Sequence, residues 1–170
     1  MEQRKFTRLE TFLMVVLTIT GILCFPINPL VLTGVLKVES YLPLVIIGWV
    51  VWAIGMVLVM APIIMFPRRG GVPKGKSFVH TTRLVDTGFY SVVRHPQYLG
   101  GILSIFLTTL LWYPHWLFAI LGIIGTAACY FSAAEEERVL VQCFGDSYTQ
   151  YTQRVPRMNV FAGLVRLIAR

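Results

Sequence analysis

The chain alternates between long uncharged apolar blocks and short segments that hold nearly all of its charge. Residues 43 to 66, PLVIIGWVVWAIGMVLVMAPIIMF, run 24 positions without a charge. A bilayer core about 30 Å thick needs about 20 such residues in a helix. Residues 12 to 36 form another uncharged run, in which Pro26 and Pro29 must kink or interrupt the helix. Two further blocks, 96 to 112 and 116 to 134, are separated only by Tyr113, Pro114 and His115, which predicts a tight helical hairpin. Trp112, Tyr113 and Trp116 stand where interfacial aromatics gather. The segment 67–95 carries Gly70, Gly71, Pro73, Gly75 and Gly88, too much glycine and proline for one helix, and reads as a structured loop. After Gly145 a polar stretch, DSYTQYTQRVPR, precedes NVFAGLVRLIAR, in which Phe161, Leu164, Val165 and Ile168 share a helical face away from Arg166 and Arg170. That piece predicts a helix lying in the membrane interface or packed on the bundle.

Composition excludes an ordinary soluble globule. The chain is 56% hydrophobic and 14% charged, against about 45–50% and about 25% in typical soluble domains. The apolar blocks leave no room for a soluble nucleotide-binding α/β domain. Of 15 Lys and Arg, three precede the first span, six lie in the 67–95 loop, five follow the fourth span, and only Lys37 falls on the other side. The positive-inside rule makes both termini and that loop cytoplasmic, which requires an even number of spans. The expectation is an all-α, polytopic membrane bundle: one domain over residues 1–170, four spans, a C-terminal helical hairpin and a cytoplasmic pocket. The N-terminus, with its basic residues before an apolar stretch, reads as an uncleaved signal anchor. A net charge of +7 without a nucleic-acid-binding motif points to anionic lipid headgroups as partner rather than nucleic acid. Cys24, Cys129 and Cys143 lack metal-ligand spacing and read as core packing, with no metal expected.

A depth calculation locates the candidate chemistry. His95 lies 19 residues before Pro114, and Glu135, Glu136 and Glu137 lie 21 to 23 after it. At about 1.5 Å per helical residue both sets return to one level, at the cytoplasmic edge. Arg94 to Gly101 should therefore face the glutamates, joining a histidine, a tyrosine, paired glycines and carboxylates in one small-molecule site. Gly100 and Gly101 leave one helix surface bare, admitting either a neighbouring helix or a flat ring. Carboxylates would hold an ammonium or ribose hydroxyls.

Three motifs in order carry a family likeness: RHPQYLGG (Arg94 to Gly101) with its lead-in LVDTGFYSVVRHP, the pair Glu136-Glu137, and FGDSYTQYTQRVPR (Phe144 to Arg157). Together they resemble the integral-membrane methyltransferases, which comprise the isoprenylcysteine carboxyl methyltransferases and the phospholipid N-methyltransferases. The likeness covers about residues 74 to 158. It implies S-adenosylmethionine as methyl donor, in a pocket between the last two spans closed by the loop and the C-terminal segment. Carried over by residue, it points to His95, Tyr98, Gly100, Glu136 and Glu137 as cofactor contacts, with Gly101 added by adjacency. Arg154 is the first choice for a substrate or catalytic contact and Arg157 the second, behind Tyr148 and Tyr151. The implied reaction is methylation of a lipophilic acceptor entering from the bilayer, foremost the carboxylate of an isoprenylcysteine-like substrate. The alternative is the amine of a phosphatidylethanolamine-type lipid, and a small lipophilic thiol or acid also stays open. Eukaryotic isoprenylcysteine enzymes are larger, with additional N-terminal spans. From other classes, an NADPH-dependent reductase of the sterol-reductase type would need contacts for a 2′-phosphate and usually more spans, and a non-enzymatic scaffold would use the same motifs only as helix caps.

Overall fold

The computed structural model describes residues 7–25, 27–71 and 82–169. Arg4, Lys5, Pro26, Pro73, Lys74, Gly75, Lys76 and Arg170, on which parts of the charge and turn pattern rest, lie outside the described residues. Every regular element among those described is helical. Helix α1 (Arg8–Leu23) opens on a capping box: Glu10 N donates to Thr7 Oγ1 at 3.1 Å, and Thr7 N donates to the Glu10 carboxylate at 2.7 Å. The apolar run of residues 12 to 36 is interrupted, as its prolines lead one to expect: α1 ends at Leu23. There Asn28 Nδ2 donates to Leu23 O, Asn28 Oδ1 accepts from Leu30 N at 3.0 Å, and a short α2 (Pro29–Leu32) follows. One amide side chain thus satisfies backbone groups on both sides of the break.

Helix α3 (Leu42–Arg69) outlasts its apolar core, carrying Pro62 and Pro67 inside it and Arg68 and Arg69 in its last turn. Cations there face the negative end of the helix dipole. After a short α4 (Phe89–Val92), the block Pro96–Trp112 is one apolar helix in three pieces: α5 (Pro96–Gly101), a π-helical segment (Ile102–Leu107) and α6 (Thr108–Trp112). Helix α7 (Trp116–Phe144) then runs well beyond Ala134 and carries the glutamates. Gly145, at φ 57°, supplies the left-handed turn that ends α7 and starts α8 (Asp146–Arg154). Helix α9 (Val160–Ile168) is capped by Asn159, whose side chain accepts from Ala162 N at 2.9 Å.

Two helices, Leu42–Arg69 and Trp116–Phe144, are long and apolar enough to cross a membrane; Pro96–Trp112 is apolar but shorter. Only 17% and 28% of the residues in their most apolar stretches are buried, which is not how the interior helix of a soluble core behaves. Helix α3 packs along α5, the π-helical segment and α6, while α1 packs on α7. Gly100 permits the first contact: a Cβ there would lie 2.6 Å from Gly55 O and 2.8 Å from Val59 N, so any side chain would push α3 away. Across the hairpin, Phe106 fills the space left by Gly125 and joins Cys24, Phe118 and Cys129 in a buried cluster. Trp112 is engaged by α3. It leans on Gly48 of α3, donates from Nε1 to Val45 O at 3.2 Å and packs against Trp49, while Trp116 stays exposed. Of the three cysteines, Cys24 and Cys129 are buried as expected, but Cys143 is exposed.

Candidate functional site

The start of α5 and the distal part of α7 meet where the hairpin arithmetic places them. Glu137 is the centre of the contact. Its Oε1 accepts from Arg94 Nε at 2.9 Å, His95 Nε2 at 3.1 Å and Arg157 Nε at 3.0 Å, and its Oε2 accepts from Arg157 Nη2 at 2.7 Å. The residue is 8% exposed. A carboxylate that far from water is tolerated because two guanidiniums compensate its charge and its lone pairs are filled. The hydrogen bond to Glu137 raises the pKa of Arg157, against a smaller opposing effect of burial. The Arg157 guanidinium also lies 4.7 Å above the Tyr130 ring, a cation–π contact.

The same centre ties down the segment after α8. Arg94 N donates to Pro156 O at 3.0 Å and His95 N to Arg157 O at 3.1 Å, a short ladder joining RHP to RVPR. Arg94 Nη1 donates to Thr152 O at 2.7 Å and also to Val155 O. Tyr151 Oη donates to Tyr90 O at 2.6 Å, fastening α8 to α4. Burial raises the pKa of Tyr90, Tyr148 and Tyr151, so all three act as neutral phenols. From the other side α9 closes on α4: Gly163 lies directly on Val92 O and Arg166 donates to Ser91 O, while Phe161 and Ile168 face outward at 79% and 86% exposure.

Beside this knot lies a cavity of about 450 Å³, within the usual range of about 300–1,000 Å³ for small-molecule sites. Pro62 and Phe66 of α3, Leu84 and Val85 of the loop, and Val139, Leu140 and Phe144 of α7 give it apolar walls. Tyr90, Arg83, Gln97, His95 and Glu136 supply polar atoms, with Tyr148 and Tyr151 behind them. His95 is 1% exposed, and its Nδ1 is buried without a hydrogen-bond partner. Glu136 Oε2 lies 4.0 Å from that nitrogen, on a side chain that is 40% exposed. An unpaired buried acceptor beside a carboxylate leaves a slot for a ligand donor.

The expected site residues thus divide. His95, Glu136 and Glu137 are together, but Glu137 is consumed by protein cations whereas Glu136 lines the cavity. Arg157 joins Glu137; Arg154 does not reach it, being exposed with its Nε directed to Gln150 O at 3.4 Å within α8. Tyr98 sits edge-on to His95 at 5.7 Å and packs against the hairpin core. Gly100 faces α3, whereas a Cβ on Gly101 would meet nothing within 4 Å. Glu135 pairs with Arg138 at 2.7 Å on the surface, an interaction worth little. Phe66, Arg83, Tyr90 and Gln97 were missed as cavity residues, and so was Cys143. Phe66 closes an apolar run and Arg83 sits in a polar loop, so neither carries a local signal. Cys143 lies one helical turn beyond Val139/Leu140 and about two turns beyond Glu136 along α7, and becomes legible only once α7 is known to continue.

A second, wholly different cavity of about 640 Å³ opens on the apolar part of the hairpin, between Ile102, Phe106, Leu107 and Leu110 on one side and Gly122, Ile123, Ala127 and Phe131 on the other.

Comparison with known proteins follows the same geography. The family model for phospholipid methyltransferases matches residues 43–147, from the start of α3 to the start of α8. Methanethiol S-methyltransferase 1 of Bradyrhizobium diazoefficiens is 42% identical over 66 residues, 39% of this chain and 22% of that protein. Methanethiol S-methyltransferase of Pseudomonas deceptionensis is 29% identical over 116 residues, 63% of this chain and 41% of that protein. A methanethiol S-methyltransferase of Crocosphaera subtropica is 33% identical over 75 residues, 44% of this chain and 28% of that protein. The chain therefore aligns with less than half the length of these relatives. No solved structure matches.

Proposed function

The chain belongs to the phospholipid methyltransferase family, and from that premise we propose that its polar cavity binds S-adenosylmethionine and delivers the methyl group to a lipophilic thiol. The observation that carries the reading is the cavity of about 450 Å³ at the end of apolar helices, with His95 Nδ1 unpaired in its wall and Glu136 beside it. These groups fit an amino-acid or ribose moiety: Glu136 is free of Glu137's ion pairs and can accept from an ammonium or hydroxyls, and Phe66, Leu140 and Phe144 offer apolar contact to a ring. When bound, the donor supplies an electrophilic methyl on a sulfonium. The protein's part is to hold the acceptor in line with it and to exclude water, which otherwise stabilises the separated cation and anion.

A sulfur acceptor is favoured by the printed names of the relatives and by the charge arrangement. A carboxylate acceptor wants a cation free to orient it; Arg94 and Arg157 are both hydrogen-bonded to Glu137 and Arg154 is outside the cavity, which leaves that task to Arg83. The isoprenylcysteine carboxylate expected from the family resemblance remains the second reading, with Arg83 on the cavity wall as the guanidinium that would orient it. We further propose four spans, made by α1, α3, Pro96–Trp112 and α7, with both termini and the cavity on the cytoplasmic side and α9 lying among anionic headgroups.

Calorimetry of the purified protein in detergent with S-adenosylhomocysteine, with NADPH as control, tests the donor. Binding of the former alone is expected, and its absence would falsify the reading. Transfer from labelled donor to an alkyl thiol, a farnesylcysteine analogue and phosphatidylethanolamine then identifies the acceptor: the thiol is expected to be methylated fastest.

A further inference from the structure

We infer that α9 is an anchor through which an anionic bilayer surface braces α4, and with it one wall of the polar cavity. The partner is the lipid surface of the membrane that the chain itself occupies, and only the ligand arm of the test rests on the methyltransferase reading above. The argument begins with what α4 lacks. Its four residues make a single turn, too short to hold its own shape. Its place is therefore set by its neighbours. The Tyr90 ring stacks on Phe66 of α3 at 5.2 Å, and Tyr90 O accepts from the Tyr151 hydroxyl of α8. Tyr90 is buried and lines the cavity, where its hydroxyl reaches Gln97 Oε1 at 3.4 Å. The last carbonyls of a helix have no partner within it, and α9 covers two of them at the end of α4. Arg166 donates to Ser91 O, and Gly163 lies so close to Val92 O that no side chain fits between them.

The opposite face of α9 is unpartnered. Phe161, Leu164, Val165 and Ile168 stand exposed along it, an apolar stripe that is costly to leave in water. Two observations choose its occupant. The first is level: α9 packs on α4, and α4 is stacked on Phe66 beside Arg68 and Arg69, where the long apolar helix α3 ends. A bilayer crossed by α3 has its surface there. The second is charge. From Ser147 to Arg170 the sequence holds four arginines and no acidic residue. Among the described residues no carboxylate pairs with Arg166, and its Nε is buried without a hydrogen-bond partner. The phosphates of anionic lipids supply that counter-charge, while the acyl boundary takes the apolar stripe. Lipid then acts on the cavity at a distance: the surface holds α9, α9 holds the end of α4, and α4 holds Tyr90.

The full chain is tested in nanodiscs, one copy in each, made of phosphatidylcholine alone or with added phosphatidylglycerol. With the anionic lipid, amide hydrogen exchange is expected to slow over α9 and over residues 88–95 together, and S-adenosylhomocysteine to bind about 5-fold tighter or more. The double substitution Phe161→Asp and Ile168→Asp, on side chains that pack against nothing, should remove both differences. Gly163→Val pushes α9 off Val92 O and should remove the differences at residues 88–95 and in ligand affinity while α9 stays protected by lipid. No lipid-dependent slowing over α9 in the unaltered protein overturns the anchor. Slowing confined to α9 overturns the brace, and slowing in both segments with unmoved ligand affinity overturns its reach into the cavity. Protection of α9 that appears only in discs holding two copies assigns the face to a second copy of the chain and overturns the lipid assignment. If S-adenosylhomocysteine binds in no disc, the methyltransferase reading fails and the exchange measurement alone decides the inference.

Discussion

The two cavities on the hairpin are built from the same pair of helices and could hardly differ more. One lies at the end where α5 begins and α7 runs past its apolar stretch, and its wall carries His95, Glu136 and Gln97. The other lies among Ile102, Phe106, Ile123 and Phe131, with Tyr130 its one titratable side chain. Helices offering mostly apolar side chains make a groove suited to hydrocarbon, with Thr126 and Tyr130 its only hydroxyls. Chemistry appears where the helices leave the apolar layer and charges can be buried in compensated groups. The adjacent pair Glu136 and Glu137 draws the same contrast within one turn: the first faces the cavity and the second holds the fold.

That contrast can be broken by substitution. Glu137→Gln leaves Arg94 and Arg157 without their shared counter-charge and is expected to cost about 3–5 kcal/mol of stability, read as a large fall in Tm in detergent. Glu136→Gln should leave Tm nearly unchanged while weakening S-adenosylhomocysteine binding by about 1.5–3 kcal/mol, measured by calorimetry. If the two substitutions have interchangeable effects, the division of labour is wrong. Gly100→Ala drives a Cβ into α3 backbone and should cost about 1–3 kcal/mol, whereas Gly101→Ala, with open space around it, should be neutral or stabilise by up to about 1 kcal/mol. The smallest effect is expected in the apolar groove. Gly122→Ala brings a Cβ to an ordinary 3.6 Å from Phe106 Cβ, so stability should change by no more than about 0.5 kcal/mol and S-adenosylhomocysteine affinity not at all.

Much of this was legible because membrane helices obey simple arithmetic. A short apex at Tyr113-Pro114-His115 and a fixed rise per residue bring His95 to the glutamates, and the 3.1 Å contact with Glu137 follows. Gly125 lets the hairpin close, with the Phe106 ring in the space a side chain there would fill. Less was legible where two physical uses fit one residue type. The bare surface at Gly100 could receive a ring or a helix, and α3 occupies it. Arg154 and Arg157 flank the same Val-Pro pair, yet the chain direction set by the ladder to Arg94 and His95 sends only Arg157 inward. An interruption of the first apolar run was legible from its prolines, but not that Asn28 would bond backbone groups on both sides of it.

The sequence by itself determined the apolar helices, the hairpin, the level at which polar groups collect and the family motifs, because each depends on local periodicity or on counting residues along a rigid helix. Tertiary structure alone decided which glutamate is a ligand surface and which a buried counter-ion, which arginine joins it, and which histidine nitrogen is left unpaired. Those outcomes depend on how many donors converge on one carboxylate from α5, α7 and the C-terminal segment. Convergence of that kind is a property of packing and has no trace in the order of residues along any one element.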